Sequence, residues 1–195
     1  MKKLAIFQTI VMMFLTSCDS RNVKSVEKEI TQKPEYMQNE NLEILKLEAS
    51  RLRAGGSVKE VVLNKSSAHI TYAKNYMEYK ELNPQSTLTE ADLAAYWESG
   101  NAIDKALVEG GVMIMKKLNF IDSVTITLPY KRELYEVNVT KSEIESFTGD
   151  DFPSIIAEWD QKFIDRYVYD KKNREKFLKK FGTVKKIEPL RCGGY

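Results

Sequence analysis

Residues 123–139 read SVTITLPYKRELYEVNV. Val124, Ile126 and Leu128 alternate with Ser123, Thr125 and Thr127, and Tyr135, Val137 and Val139 alternate with Glu136 and Asn138. A period of two in a run of β-branched and aromatic residues marks two half-buried strands. Pro129 to Arg132 supply the turn between them. Pro129 has no amide to give a ladder and is expected to end the first strand. The second strand leads straight into a helix signal. Thr140 is placed to cap a helix, Glu143 to close a capping box, and Val139 to meet Ile144 as a hydrophobic staple. A helix is therefore expected from Lys141 to Phe147.

Working upstream, Val58 to Leu63 and Ala68 to Ala73 form a second hairpin around Asn64 to Ser67. Ala68, Ile70 and Tyr72 share one face, with His69 and Thr71 on the other. Thr89 is expected to cap a helix running to Glu98, with Asp92 three residues on and Leu88 packing on Leu93. A longer helix is expected from Ala102 to Leu118, with Ile103, Leu107, Ile114 and Leu118 on one stripe, flanked by Ala106 and Met113. Gly110-Gly111 interrupts it. Each glycine costs up to ~1 kcal/mol in a helix interior. Close packing on a sheet would offset that cost; a kink is the alternative.

Downstream, Thr148 to Asp151 reads as a loop, and Pro153 lies near the start of a helix to Tyr169 with Ile156, Trp159, Phe163 and Tyr167 as its stripe. Asp170 is placed to cap a last helix, with Phe177, Leu178 and Phe181 inward and Gly182 as its stop. Leu42, Leu45 and Leu47 open a helix running to Arg53, ended by Gly55-Gly56. The resulting expectation is one α+β domain over 42–190. Its short antiparallel hairpins join in one sheet, amphipathic helices pack on one face, and residues 191–195 form a tail.

The N-terminus has a different character. It begins MKKLAIFQTIVMMFLTSCDS. Lys2 and Lys3 precede an apolar run from Leu4 to Leu15, which is short for the ~20 residues a bilayer span needs and fits a secretory signal. The run ends Leu15-Thr16-Ser17-Cys18, which resembles the lipobox of bacterial lipoproteins. That resemblance implies cleavage between Ser17 and Cys18, removing residues 1–17, and lipidation of the Cys18 thiol. Two or more acyl chains hold a protein stably on a membrane, where one does not. A plain signal peptide or an uncleaved anchor is the alternative. Asp19 resembles the signal that keeps enteric lipoproteins in the inner membrane. Residues 18–41 are polar and are expected to tether the domain.

The chain carries 30 Lys and Arg against 28 Asp and Glu. Removing 1–17 takes away two lysines and leaves 28 against 28. Such a neutral chain lacks the field a nucleic-acid binder needs. With Cys18 lipidated, Cys192 stands alone, as a free thiol or an intermolecular disulfide, and the domain rests on packing.

Little in the sequence points to catalysis. His69 is the one histidine, placed mid-strand opposite Ile70, whereas zinc sites and catalytic triads need convergent partners. No phosphate-binding or calcium loop is present and no cofactor is expected. Glu143, Glu145, Asp150, Asp151, Glu158, Asp160 and Asp165 read as a solvated acidic face, from which no catalytic pair can be chosen. Residues 171–186, KKNREKFLKKFGTVKK, carry eight basic residues and one acid. Lys171, Lys172, Arg174, Lys179 and Lys180 are candidates for a basic contact face, towards an anionic bilayer or an acidic partner. Alternatively the acidic and basic helices neutralise each other or face water. Tyr72, Tyr76, Tyr79, Tyr96 and Trp97 form an aromatic group suited to a core or an interface. The expected function is a lipid-anchored envelope protein that binds an unidentified protein partner without catalysis. A carboxylate-based hydrolase of glycan or peptide and a small-ligand carrier are the alternatives.

Overall fold

The computed structural model describes residues 38–187. The expected signal segment with Ser17 and Cys18, most of the expected tether and the expected tail with Cys192 lie outside the described residues. Five strands form one sheet in the order β1 (Val58–Asn64), β2 (Ser67–Tyr72), β3 (Ser123–Tyr130), β4 (Glu133–Thr140) and β5 (Gly182–Lys186). Both expected hairpins are antiparallel. They join through a parallel pair, Ser67–Thr71 along Ser123–Thr127, so the sheet is mixed. The connection between β2 and β3 carries α2 (Tyr76–Leu82), α3 (Glu90–Glu98) and α4 (Ala102–Lys117). Parallel neighbours need such a long crossover. After β4 come α5 (Lys141–Thr148), α6 (Phe152–Ala157), a π-helix (Asp160–Tyr169) and α7 (Lys171–Phe181). A helix over residues 38–49, α1, precedes the sheet.

Alternation sorts the sheet into two faces. Ala68, Ile70, Tyr72, Val124, Ile126, Leu128, Val137 and Val139 are buried on the helix side. Val62, His69 and Asn138 are exposed on the other. The turns are tighter than expected. Lys65-Ser66 and Lys131-Arg132 are two-residue loops, and Lys65 and Lys131 take left-handed backbone without glycine. Pro129 does not end its strand. It pairs with Leu134 inside β3. In a two-residue hairpin the pair beside the turn, here Tyr130 and Glu133, exchanges the hydrogen bonds. The Pro129 nitrogen therefore points away from β4, beyond Thr127, where pairing with β2 has stopped.

Helix α4 sits on the centre of the sheet, and its glycines make that possible. A methyl group on Gly110 would lie 2.5 Å from Ile126 Cδ1, and one on Gly111 would lie 2.9 Å from Val139 Cγ2. The helix continues through the pair, so close packing accounts for the glycines. The resulting burial is wider than the expected stripe. Ala106, Leu107, Val108, Val112, Ile114 and Met115 are all buried.

Three further departures have physical reasons. Residues 38–41 are already helical and continuous with the rest of α1, so they belong to the domain rather than to the tether. Gln38, Asn39, Glu40 and Asn41 are polar, which is why their sequence reads as tether. Leu45 and Ala49 face the core, while Leu47 is exposed. Helix α2 was not expected, although its signature is present. Asn75 caps it by accepting from the Glu78 amide at 3.0 Å, and Glu78 accepts in return from the Lys74 amide at 2.9 Å. The stretch from Pro153 to Tyr169 is two helices of different winding. The Asp170 amide bonds the Asp165 carbonyl at 3.1 Å, five residues back. Turns of about 4.4 residues bring Val168 round to the face of Trp159, nine residues earlier. Trp159, Phe163, Tyr167 and Val168 are all buried. Phe163 and Tyr167 meet Phe147, Phe177 and Phe181 in one aromatic cluster, with ring centroids 4.7–6.2 Å apart.

Gly110→Ala is expected to cost about 1–3 kcal/mol through overpacking, measured by urea denaturation. Ile126→Val removes the atom in the way, so the double variant should lose less than the two single losses combined. Full additivity would show that this contact does not set the helix–sheet spacing.

Candidate functional site

His69 lies on the open sheet face, with its Nε2 3.0 Å from Thr127 Oγ1. Thr127 Oγ1 in turn donates to Glu136 at 3.4 Å. A hydrolytic relay needs the acid on the imidazole and the imidazole on the nucleophile. Here the acid is on the hydroxyl, and the group lies across three adjacent strands rather than in a cleft. The chemistry this supports is a polar tie between β2, β3 and β4.

The carboxylates mostly have local work. Glu143 caps α5 through the Thr140 amide at 3.0 Å, Asp151 caps α6 through Ser154, and Glu145 accepts from the Phe152 amide at 2.8 Å. Asp150 and Glu158 each lie 3.1 Å from Lys162. Glu158 and Asp160 border a surface depression beside Trp159. Glu158 is 54% exposed, and the depression is an open surface feature rather than a closed cleft. Beside Gly110 the space is bounded by Arg51, Arg53 and Glu109 as well as Leu52 and Met113, a mixed lining rather than an apolar carrier cavity. Among the described residues, no group of three His, Cys, Asp or Glu could hold a metal ion, and no helix is long and apolar enough to cross a membrane.

The expected basic face is divided by the structure. Arg174 does not belong to it, being 2% exposed. Its guanidinium donates to the Val168 carbonyl at 2.7 Å and reaches the Tyr169 carbonyl at 3.5 Å, closing the end of the π-helix. Its Nε lies 3.8 Å from Asp104 Oδ2 and has no hydrogen-bond partner among the described residues. Burial raises the Asp104 pKa and Arg174 opposes that rise. The sequence placed Arg174 within a run of lysines, so its inward direction could be found only from the helix phase it shares with Phe177.

Lys171, Lys172, Lys179 and Lys180 are exposed, as are Lys176, Lys185 and Lys186. At about 100° per residue, Lys172, Lys176 and Lys179 point directly opposite the buried stripe of Arg174, Phe177 and Phe181. Strand β5, read from sequence as no more than a helix stop and a charge run, extends this surface along the sheet edge. The acidic run does not neutralise it. Among the described residues, the one ion pair on α7 to an exposed lysine is Lys171 with Glu175 at 3.9 Å, while Asp150 and Glu158 turn to Lys162.

A second surface lies around α3. Trp97 is its one buried residue, packed edge-on to Tyr72 at 5.8 Å. On one side is a cleft of about 300 Å³ walled by Tyr76, Trp97 and Tyr130, with Lys74, Glu90 and Lys131 at its rim. On the other is a more apolar cleft of about 270 Å³ with Tyr79, Leu88 and Tyr96. Leu93 lines both. Leu88 is 46% and Tyr96 39% exposed. The aromatic group seen in the sequence is thus part core, at Tyr72, Tyr79 and Trp97, and part surface, at Tyr76 and Tyr96.

The fold is α+β with a five-stranded mixed sheet, and it carries one exposed basic surface and one surface of aromatic clefts. No protein-family model matches the chain, and comparison with curated proteins and with solved structures gives no significant match.

Arg174→Met is expected to cost about 3 kcal/mol, because the helix-end carbonyls lose their donor and Asp104 its counter-charge, whereas Lys179→Ala should change stability by less than about 0.5 kcal/mol. Equal effects in thermal unfolding would return Arg174 to the surface. Glu78 supplies a pH test. Burial opposes its ionisation, but hydrogen bonds from Lys59 and Lys74 outweigh burial and hold its pKa at about 2. Its stabilising contribution is therefore present at neutral pH and lost as pH falls from its ordinary value of 4.5 towards 2. Glu78→Gln should flatten the stability profile across that window.

Proposed function

We propose that this chain is a lipid-anchored envelope protein that acts without catalysis, binding a protein partner in an assembly, protection or exclusion role. The carrying observation is the surface around α3. One buried tryptophan holds the helix, and aromatic clefts flank it on both sides. Tyrosine and tryptophan beside apolar clefts with a charged rim are the composition of protein-binding surfaces. The lipobox resemblance at Leu15 to Cys18 supports anchoring at Cys18, with the domain on the outer side of the cytoplasmic membrane or in the periplasm. Asp19 favours the inner membrane. A neutral chain supports a partner other than nucleic acid.

Palmitate labelling of wild type and Cys18→Ala, with membrane fractionation, tests the anchor. Label and membrane retention should vanish together in the variant; a variant that stays on the membrane overturns the lipoprotein reading. A photocrosslinker at Tyr96 in intact envelopes tests the surface. An adduct to one protein is expected from Tyr96 and none from Lys65 on the β1–β2 turn. Equal adducts from both positions would remove the α3 surface as the binding site.

A further inference from the structure

Residues 38–187 are formally neutral, with charge divided unevenly along the chain. Residues 171–187 hold eight basic side chains and one acidic, while residues 38–170 hold fifteen basic and twenty-two acidic. Of the eight, only Arg174 is buried. Seven lysines are left on the outer side of α7 and along β5, and among the described residues only Lys171 has an acidic partner. The geometry points to this face as the contact by which the domain lies against a membrane surface rich in anionic phospholipid headgroups.

Several observations select a lipid surface over a protein or nucleic acid. All the exposed cations are lysines, compact point charges that suit a diffuse array of phosphates; bidentate recognition of a protein carboxylate or a base edge calls for arginine. The exposed part of α7 and β5 has no Tyr or Trp to anchor a protein interface. It has instead two aliphatic residues beside the terminal lysines, Val184 at 59% and Ile187 at 44% exposure. Apolar side chains among lysines are the pattern of a surface that rests on headgroups and inserts shallowly. The opposite charge excess in residues 38–170 orients the molecule, since an anionic surface attracts one part and repels the other. The α3 clefts are lined by no residue of α7 or β5, so the two surfaces share no residue. This contact deepens the lipid-anchored reading but does not need the anchor to be measured.

The test uses a chain from Asp19 to Tyr195, which lacks Cys18 and keeps the whole core cluster from Leu45 to Phe181. It is mixed with vesicles of phosphatidylcholine alone or with 30% phosphatidylglycerol, and binding is read by flotation. The expected result is binding to the anionic vesicles only, weakened at least tenfold by 0.5 M salt and at least tenfold by Lys172→Glu/Lys176→Glu/Lys179→Glu with unchanged thermal unfolding. A second variant, Lys65→Glu/Lys117→Glu on the β1–β2 turn and at the end of α4, both exposed and outside α7 and β5, should bind like wild type. Equal binding to both vesicles, no binding to either, or equal loss in both variants overturns the proposal. So does poly-glutamate displacing the protein from vesicles at equal charge concentration, which would make the ligand an acidic polypeptide. Failure here leaves Cys18 labelling untouched, and absent labelling leaves this result untouched.

Discussion

The structure depends on how closely α4 can approach the sheet. Gly110 and Gly111 place helix backbone where Ile126 and Val139 reach up from β3 and β4, and neither contact leaves room for a Cβ. The helix propensity lost at two interior positions is offset by apolar burial along both elements. Because α4 also carries the crossover from β2 to β3, the same approach fixes the parallel pair at the centre of the sheet. Both hairpins are then held to one frame. The ion pair of Arg53 with Glu109 and the bond from the Tyr72 hydroxyl to the Arg53 carbonyl at 2.9 Å fasten the turn after α1 to that frame.

The parts of this fold legible in the sequence are those set locally. Alternation at 124–128 and 135–139 identified the β3–β4 pair, and the Thr140–Glu143 capping box fixed where α5 starts. Gly110-Gly111 was legible as a demand for close packing. What escaped was set by distance or by small differences in energy. The parallel pairing of β2 with β3 is a consequence of the crossover and leaves no local mark. Strand β5 is five residues long, and lysines hide its Thr183-Val184 signal. The π winding of 160–169 keeps an apolar spacing close to that of an α-helix, so periodicity alone reads it as α-helical.

The surfaces divide in the same way. The charge run at 171–186 was visible, but its separation into seven outward lysines and one buried arginine needed the phase of α7. Tyr72, Tyr76, Tyr79, Tyr96 and Trp97 were visible as a group. Which of them face solvent is set by the single-residue attachment of α3 and by the unexpected α2, whose Asn75 and Glu78 cap was present in the sequence. His69 was correctly placed away from Ile70, and its partners Thr127 and Glu136 come from strands distant in the chain.

The π-helix sets where the chain can change length. A wider turn stores more residues per ångström of axis than an α-helix does. Between fixed ends at Trp159, seated on the core, and Asp170, which caps α7 through the Asn173 amide at 2.8 Å, the segment can lose a residue by rewinding towards α geometry. Its termini then keep their places while the interior changes phase. The central elements α4, β3 and β4 have no such slack. A deletion in α4 moves the glycines off the sheet, and one in β3 or β4 turns an apolar face outward. Residues 160–169 are therefore a place outside the loops where this architecture can take up a change of length, and a shortened chain would show its cost in the aromatic cluster around Phe163.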